Sequence, residues 1–212
     1  MAMFFVPPNL SRRNTVAALV WAPTLLLAGR ALAQPTRRAT PSQAEGPFYP
    51  RELPNDKDFD LLRNANLVYA RGQAAWVDGV VTDLQGKPVR GAQVEIWQCD
   101  ESGHYRHPSD GNRADPAFQG FGQVTVGNDG AFRFRTIRPA PYSGRTPHIH
   151  VKVKLSGRDV LTTQLYVQGD AGNARDMLWR NLGDDAARAA LTVPFEPGAD
   201  GLRAFFPIIL AL

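Results

Sequence analysis

Residues 145–153 read Arg-Thr-Pro-His-Ile-His-Val-Lys-Val and hold two of the four histidines in the chain. In an extended segment, successive side chains point to opposite faces, so His148 and His150 lie on one face and Ile149 on the other. Two imidazoles on one face of a strand are able to share a metal ion. A lone His-x-His pair also occurs on protein surfaces without any function, so the remainder of the sequence has to decide between these interpretations.

Short segments rich in Val, Ile, Phe, Tyr or Thr recur from Ala74 onward and predict β-strands. Turn residues separate them, for example Asn128-Asp129-Gly130. Many short strands at regular spacing predict an all-β fold, either an antiparallel β-sandwich or a barrel. One helix is predicted over residues 184–191, with Asp184 as a candidate N-cap. The predicted strands are residues 76–82, 93–98, 122–126, 131–136, 148–155 and 160–167.

The chain divides into three predicted parts. Residues 1–33 predict an export signal, because Arg12-Arg13 precedes an apolar stretch and Ala31-Leu32-Ala33 offers a peptidase site. The paired arginines resemble a twin-arginine signal and predict a bacterial protein exported to the periplasm or the exterior, with no membrane contact after cleavage. An ordinary secretory signal or a retained anchor is the alternative. Residues 34–70 predict an extended N-terminal arm, and residues 71–212 a β-sandwich domain with a loop-rich C-terminal region.

The composition is that of a globular protein and argues against a nucleic-acid-binding surface. The chain has 212 residues, of which 43% are hydrophobic and 21% charged, as expected for one globular domain with a leader. The net charge of +4 comes from scattered basic residues, so no nucleic-acid surface is predicted. The single cysteine, Cys99, has no partner for an internal disulfide and is interpreted as a small buried apolar group.

A mononuclear metal site needs three or four ligands, and the His-x-His strand supplies two. The other two histidines, His104 and His107, flank Tyr105. Tyr142 follows a proline-rich turn and precedes His148 by six residues. A tyrosine in such a place is usually structural, with its ring on the core. On the residues alone, the remaining ligands therefore stay open.

Four motifs follow one another along the chain. They are Trp97-x-x-Asp100-x-x-Gly103-x-Tyr105-Arg106-His107, Asp129-Gly130-x-Phe132-x-Phe134-Arg135-Thr136-Ile137-x-Pro139-x-Pro141-Tyr142, Arg145-x-Pro147-His148-Ile149-His150, and Thr163-Gln164-Leu165-Tyr166 with Gly169-Asp170. In this order they resemble the intradiol ring-cleavage dioxygenases over roughly residues 41–170, with the greatest likeness to the iron-bearing protocatechuate 3,4-dioxygenase beta chains. The resemblance implies a prealbumin-like β-sandwich that holds one non-haem Fe(III) per chain.

The resemblance also implies a role for individual positions. The residues that match the four iron ligands of the family are Tyr105, Tyr142, His148 and His150. Arg145 matches the arginine that faces the substrate, and Gln164 matches a glutamine near the iron. Tyr142 matches the ligand that the substrate displaces, so the predicted catalytic residues are Arg145, Tyr142 and Gln164. The predicted substrate-binding residues are Gly46, Pro47, Phe48 and Arg145.

The implied reaction opens the ring of a small aromatic diol between its two hydroxylated carbons with O2 and yields a cis,cis-muconate-type product. Anionic phenolate oxygens stabilise the ferric state, whereas two histidines with one carboxylate are typical of ferrous oxygenases. A tyrosine normally keeps its proton to about pH 10, so a bound cation has to lower that pKa. Arg145 would stabilise the negative charge that develops on the bound ring.

Two departures from the family concern the pocket. Only Ser143-Gly144 separates Tyr142 from Arg145, where the family carries a longer insertion, and this predicts a shallower pocket with a broader substrate range. Phe48 stands where a tyrosine is common. Pocket and ligand segments both lie in this one chain, so a self-sufficient protomer or a homodimer is predicted.

Two other classes of protein stay open. A secreted, non-catalytic β-sandwich binding module explains the strands and the leader, but not the joint presence of four ligand positions and Arg145. A periplasmic copper or zinc protein explains His148 and His150 and leaves the tyrosines without a role. The choice among protocatechuate, catechol, substituted catechols and hydroxyquinol stays open as well.

Overall fold

The fold is built from β-strands, as predicted. The computed structural model describes residues 37–212, so the predicted export signal over residues 1–33 lies outside the described residues. No helix in the described part of the chain has the length and apolar character that a membrane span requires. The strands are β1 (Arg63–Asn64), β2 (Leu67–Val68), β3 (Ala74–Asp83), β4 (Gln93–Trp97), β5 (Phe121–Thr125), β6 (Ala131–Ile137), β7 (His148–Leu155), β8 (Arg158–Val167), β9 (Thr192–Val193), β10 (Glu196–Gly198), β11 (Gly201–Phe205) and β12 (Ile208–Leu210), and the helices are α1 (Met177–Arg180) and α2 (Asp185–Leu191).

Two five-stranded sheets form the two layers of the sandwich. In the first, β3 pairs antiparallel with β6 on one side and parallel with β11 and then β12 on the other, while β10 extends β11. The second has the order β5-β4-β7-β8-β9, antiparallel except for β8 and β9. Val77 and Val81 of β3 share one buried cluster with Ile149 and Val151 of β7, so the core lies between the sheets.

Strand β7 is buried on both faces, and this positions the predicted site. Ile149 and the side chains at alternate positions after it contact the core. His148 and His150 point to the outer face of the sheet and are nevertheless buried. The arm covers that side of the sheet. The backbone amide of Gln43, in this arm, donates to the backbone carbonyl of Thr162 in β8 at 2.8 Å. The segment around Gln43, which lies in the predicted arm, therefore packs on the sandwich that follows it.

Most of the predicted elements are confirmed. The six predicted strands correspond to β3 to β8, with ends that differ by at most two residues. Helix α2 begins after Asp184, whose side chain accepts from the amide of Ala187 at 2.8 Å, as an N-cap does. The C-terminal region, predicted to be rich in loops, holds four short strands, β9 to β12. Two of these pair in parallel with β3, and a parallel pairing of distant segments leaves no hairpin signal in the local sequence.

Candidate metal centre

The two histidines of β7 converge at their Nε2 atoms. Nδ1 of His148 lies 2.7 Å from the carbonyl oxygen of Thr146, which only accepts, so Nδ1 carries the proton and Nε2 keeps its lone pair. Nε2 of His150 lies 3.2 Å from Nε2 of His148. Two nitrogens that each lie about 2.1 Å from one transition-metal ion are separated by a similar distance. The pair is therefore spaced as two ligands of one ion.

Tyr142 joins this pair from a tight turn. Its hydroxyl oxygen lies 3.5 Å from Nε2 of His148. Ser143 and Gly144 have φ values of 44° and 77°, and the amide of Arg145 donates to the carbonyl of Tyr142 at 2.7 Å. Two successive left-handed residues form the tight turn of a β-hairpin, in which the flanking residues stand opposite each other. The side chains of Tyr142 and Arg145 consequently leave the turn side by side.

Tyr105 reaches the cluster from the turn after β4. Its ring centroid lies 4.9 Å from that of Tyr142 and 6.1 Å from that of His150. Gly103 has a φ of +81°, and a Cβ at this position would lie 2.9 Å from the carbonyl oxygen of Pro141. The absence of a side chain there lets the Tyr105 turn approach the loop before Tyr142. The hydroxyl of Tyr105 is buried and has no hydrogen-bond partner among the described residues.

Burial favours the neutral form of all four side chains. It lowers the pKa of His148 to about 4 and that of His150 well below its usual value, so both imidazoles are uncharged at pH 7. Burial also raises the pKa of Tyr105 well above its usual value of 10.0 and raises the pKa of Tyr142. Neutral imidazoles are ready to bind a metal, whereas each phenol has to lose a proton. A bound cation is the charge that makes this loss favourable.

The donor chemistry of the cluster fits a ferric ion. Within residues 37–212, no group of three histidine, cysteine, aspartate or glutamate side chains is placed to hold a metal, so a site here has to use the tyrosines. The buried hydroxyl of Tyr105 lacks a partner, which costs about 1–3 kcal/mol, and an ion bound in the cluster would provide one. Two phenolate oxygens are hard donors that suit the ferric state. The structure thus brings the four predicted ligand residues together.

The guanidinium of Arg145 is held beside Tyr142 by two polar groups. Its Nε donates to the carboxylate of Asp176 at 2.7 Å, and Nη2 donates to Oε1 of Gln164 at 2.7 Å. The carboxylate of Asp176 is fully buried and also accepts from two backbone amides at the start of α1. Burial alone would raise the pKa of Asp176, but the hydrogen bonds from Arg145 and the amides lower it, so this carboxylate stays ionised.

The arm residues predicted to bind substrate lie next to the cluster. Gly46 packs against His150, because a Cβ at Gly46 would lie 3.2 Å from Cε1 of that ring. Phe48 stacks on the ring of Tyr105 with centroids 4.4 Å apart. Pro47 is exposed between them. The segment from Gly46 to Phe48 therefore forms a wall against the candidate ligands.

Three contacts of the cluster were not predicted from sequence. Asp176 holds Arg145, although its position before α1 marks it only as a helix cap. The indole of Trp97 stacks on His150 with centroids 4.8 Å apart, because the two residues face each other across β4 and β7. Gln164, opposite His150 on β8, donates from Nε2 to the carbonyl of Ala44 at 2.9 Å and so ties the arm to Arg145. Each contact depends on strand register or loop packing.

The other two histidines have partners outside the cluster. Nδ1 of His104 lies 3.3 Å from the carboxylate of Asp110. Nδ1 of His107 accepts from the amide of Ser109 at 3.1 Å and caps a short 3₁₀ turn. Cys99 is buried, as predicted, and burial raises its pKa to about 12, which leaves it an uncharged thiol.

An open cleft borders the cluster on the side of Tyr142 and Arg145. Its volume is about 690 Å³, enough for a small aromatic molecule. The far wall includes Arg138, Asp170 and Arg175, and Arg138 pairs with Asp170 at 3.5 Å. The cleft gives a small molecule access to Tyr142 from outside.

The β-sandwich brings together two buried imidazoles, two tyrosines and a fixed arginine at the edge of a cleft. This arrangement is typical of the class of proteins whose metal centre has both tyrosine and histidine ligands. Residues 44–196 match the Dioxygenase_C model, described as a dioxygenase, and the chain belongs to this family. The resemblance to intradiol ring-cleavage dioxygenases is thereby confirmed at the level of the family.

Curated relatives support this membership. The protocatechuate 3,4-dioxygenase beta chain of Burkholderia cepacia is 35% identical over 161 residues, which cover 71% of this chain and 68% of the relative. The hydroxyquinol 1,2-dioxygenase of Corynebacterium glutamicum is 32% identical over 151 residues, which cover 62% of this chain and 47% of the relative. This chain spans about half the length of the hydroxyquinol dioxygenases that it matches.

Solved structures share the fold. The dioxygenase domain of a dioxygenase and carbohydrate-binding protein fusion from Streptomyces sp. SirexAA-E has a TM-score of 0.66 and 33% identity, with 82% of this chain and 99% of that chain covered. The intradiol ring-cleavage dioxygenase of Tetranychus urticae has a TM-score of 0.67 at 21% identity, with 82% of this chain and 95% of that chain covered, a likeness in fold alone.

Proposed function

We propose that this chain is an intradiol ring-cleavage dioxygenase that uses one Fe(III) to cleave a catechol-type ring between its hydroxylated carbons with O2. The observation that carries the proposal is the convergence of Tyr105, Tyr142, His148 and His150 next to Arg145. Relatives named as hydroxyquinol, catechol and protocatechuate dioxygenases support it. The product is a cis,cis-muconate-type dicarboxylate.

The two tyrosines and two histidines would hold the iron. When bound, ferric iron supplies the Lewis acidity and electron-accepting capacity that make an ortho-diphenolate ring reactive towards O2. The carbonyl of Thr146 fixes the His148 ring so that Nε2 faces the cluster. Trp97 and Gly46 pack on His150 and keep water from that side of the centre.

Tyr142 would be the ligand that yields to the substrate. It stands on a two-residue turn at the open cleft and is half-buried, whereas Tyr105 is buried. A movement of this turn would carry the Tyr142 hydroxyl away from the centre. Its freed phenolate oxygen would accept one of the two protons that an incoming diol loses when it binds through both oxygens.

Arg145 stabilises the negative charge that develops on the bound ring. Asp176 and Gln164 hold the guanidinium in place before substrate arrives, so little reorganisation is needed during the reaction. Gln164 acts as a support for Arg145 and for the arm through the carbonyl of Ala44.

The substrate is a small ortho-diphenol, and the proposal includes a broad choice of ring substituents. Its support is the short Ser143-Gly144 turn, which leaves the cleft beside Tyr142 open. A panel of substituted catechols, protocatechuate and hydroxyquinol tests this breadth. Turnover of one member alone would contradict it.

The assembly and location of the protein belong to the same proposal. Phe48 of the arm stacks on Tyr105 within one chain, which supports a self-sufficient protomer, alone or in a homodimer. Arg12-Arg13 and the Ala31-Leu32-Ala33 site support export through the twin-arginine route to the periplasm or the exterior. The proposal also places the end of the export signal at residue 33 and the end of the N-terminal arm at residue 70.

The visible absorption spectrum of the purified chain tests the proposal. We expect a broad red-brown band from tyrosinate bound to Fe(III), a shift of this band on anaerobic addition of catechol, and ring-opened product once O2 is admitted. A chain that stays colourless after reconstitution with iron would contradict the proposal. That outcome would favour a non-catalytic binding module.

A further inference from the structure

The outer face of β7 carries two lysines beyond the two histidines. Side chains at alternate positions of a strand share a face, so His148, His150, Lys152 and Lys154 form one row. Lys152 is only 3% exposed. A buried ammonium group is costly unless it is paired. The proposed centre uses the first half of this row, and no step of the proposed reaction uses the second.

Lys152 is paired with the arm. Its Nζ lies 2.5 Å from Oε2 of Glu45 and 3.7 Å from the ring centroid of Tyr49. A third contact, with Asp159 at 3.2 Å, comes from the sandwich itself. An ammonium group over an aromatic ring gains a cation–π attraction in addition to the ion pair. The lysine therefore binds two arm residues at once.

Lys154 fixes the hydroxyl of the same tyrosine. Its Nζ donates to Tyr49 Oη at 2.9 Å and to Glu95 Oε1 at 2.9 Å. The Tyr49 hydroxyl in turn donates to Glu95 Oε2 at 2.8 Å. The side chain of Glu95 is fully buried, so this triangle of hydrogen bonds lies in a region of low dielectric constant, where each bond is stronger than in water.

Between Glu45 and Tyr49 lie Gly46, Pro47 and Phe48, the segment that the sequence predicts to bind substrate. Gly46 packs on His150, and Phe48 stacks on Tyr105. A segment this short, tethered at both ends, has little freedom to shift. The two lysines thus control how closely the wall approaches two of the candidate ligands.

We propose that Lys152 and Lys154 are positioning residues, which hold the segment from Gly46 to Phe48 against the centre and so set the substrate pocket. This inference rests on the proposed dioxygenase function. Neither lysine is a candidate iron ligand, and neither lines the cleft beside Tyr142 and Arg145. The strand that supplies the two histidines also supplies the anchors for the wall that covers them.

Variants Lys152→Met and Lys154→Met test the proposal, with Lys87→Met as a matched control on an exposed turn. Amide hydrogen exchange of the metal-free chain is expected to speed up about tenfold or more over residues 44–50 in both variants, while β7 and β8 keep their protection. In the iron-loaded chain we expect an unchanged visible band, a KM for catechol about tenfold higher, and a kcat within about threefold of the parent value. Lys152→Arg should restore much of the KM, since a guanidinium also pairs with Glu45.

Removal of the arm partners gives the same test without a change in β7. Glu45→Gln and Tyr49→Phe should loosen residues 44–50 in the same way. The side chain of Glu45 is 44% exposed, so its replacement should not unfold the chain. Unchanged exchange and KM in these variants would overturn the proposal. A general loss of protection in β7 and β8, with kcat and KM affected in parallel, would also overturn it, because the lysines would then be merely structural.

The two proposals fail in distinguishable ways. If the parent chain binds no iron and opens no ring, the dioxygenase function is wrong, and the exchange data still show whether the lysines hold the arm. If the parent chain is active and the lysine variants behave as Lys87→Met does, only the positioning role is wrong.

Discussion

At the scale of single residues, the Tyr105 hydroxyl offers a sharp test of the centre, because it is buried without a hydrogen-bond partner among the described residues. Tyr105→Phe removes this unpaired group, so the free energy of unfolding of the metal-free chain should not fall. The visible band of the iron-loaded chain should be lost or strongly weakened, because one of two phenolate donors is missing. Thermal melts and absorption spectra measure the two effects.

Tyr69→Phe is the matched control for this change. The Tyr69 hydroxyl accepts from the amide of Glu101 at 3.1 Å, so its loss should cost about 1 kcal/mol of stability. It should leave the visible band intact. A full band in Tyr105→Phe, or a weakened one in Tyr69→Phe, would mean that Tyr105 is not a ligand.

Asp176 gives a second test at this scale, since its buried carboxylate orients Arg145. Asp176→Asn keeps the cap of α1 but removes the charge, so Arg145 should lose its fixed orientation. We expect kcat to fall about tenfold or more, equivalent to at least ~1.4 kcal/mol of transition-state stabilisation, with iron content unchanged. Steady-state kinetics and iron analysis measure this.

Asp184→Asn is the matched control for the loss of a paired charge at a helix cap. Asp184 caps α2 and pairs with Arg38 on the surface, so Asp184→Asn also keeps a cap but removes a charge paired with an arginine, away from the centre. Its kcat should match the parent value. Equal losses of kcat in both variants would point to general destabilisation.

At the scale of the elements, the turn after β4 and the loop before β7 meet at Gly103. Gly103→Ala combines a left-handed φ of +81° with a Cβ placed 2.9 Å from the Pro141 carbonyl oxygen. Gly157→Ala has a similar φ of +76° with nothing within 4 Å. We expect about 1–2 kcal/mol of destabilisation from backbone strain in both. Only Gly103→Ala should also weaken iron binding, measured by competition with a chelator, and equal iron affinity in the two variants would contradict this.

The elements also show where prediction from sequence stops. The ends of β7 were predicted correctly, because apolar and polar residues alternate along it and turn residues flank it, which is a strong local signal for a strand. β11 and β12 were missed, because each is short and pairs in parallel with β3, which lies far away in the chain. The pairing of Trp97 with His150 depends on the register of β4 and β7, which no single segment specifies.

At the scale of the whole molecule, the centre joins one strand to two loops, so metal binding should stabilise the chain. Iron at a thousand times its dissociation constant would contribute about 4 kcal/mol. Removal of iron by a chelator should lower the midpoint of thermal unfolding and speed amide exchange in residues 100–105 and 139–145. Exchange in β3 and β6 serves as the internal control, and identical melting curves with and without iron would contradict the prediction.

The sequence by itself determined the class of fold, the six central strands and the helix at α2, because these rest on local alternation and capping. The four candidate ligands came from the resemblance that its motifs carry. The tertiary structure alone decided how they act together. It placed Asp176 on Arg145, Trp97 on His150, and the arm on Lys152 and Lys154. The physical reason is that these contacts join segments distant in sequence, and their geometry follows from sheet register and the packing of the arm rather than from any local pattern.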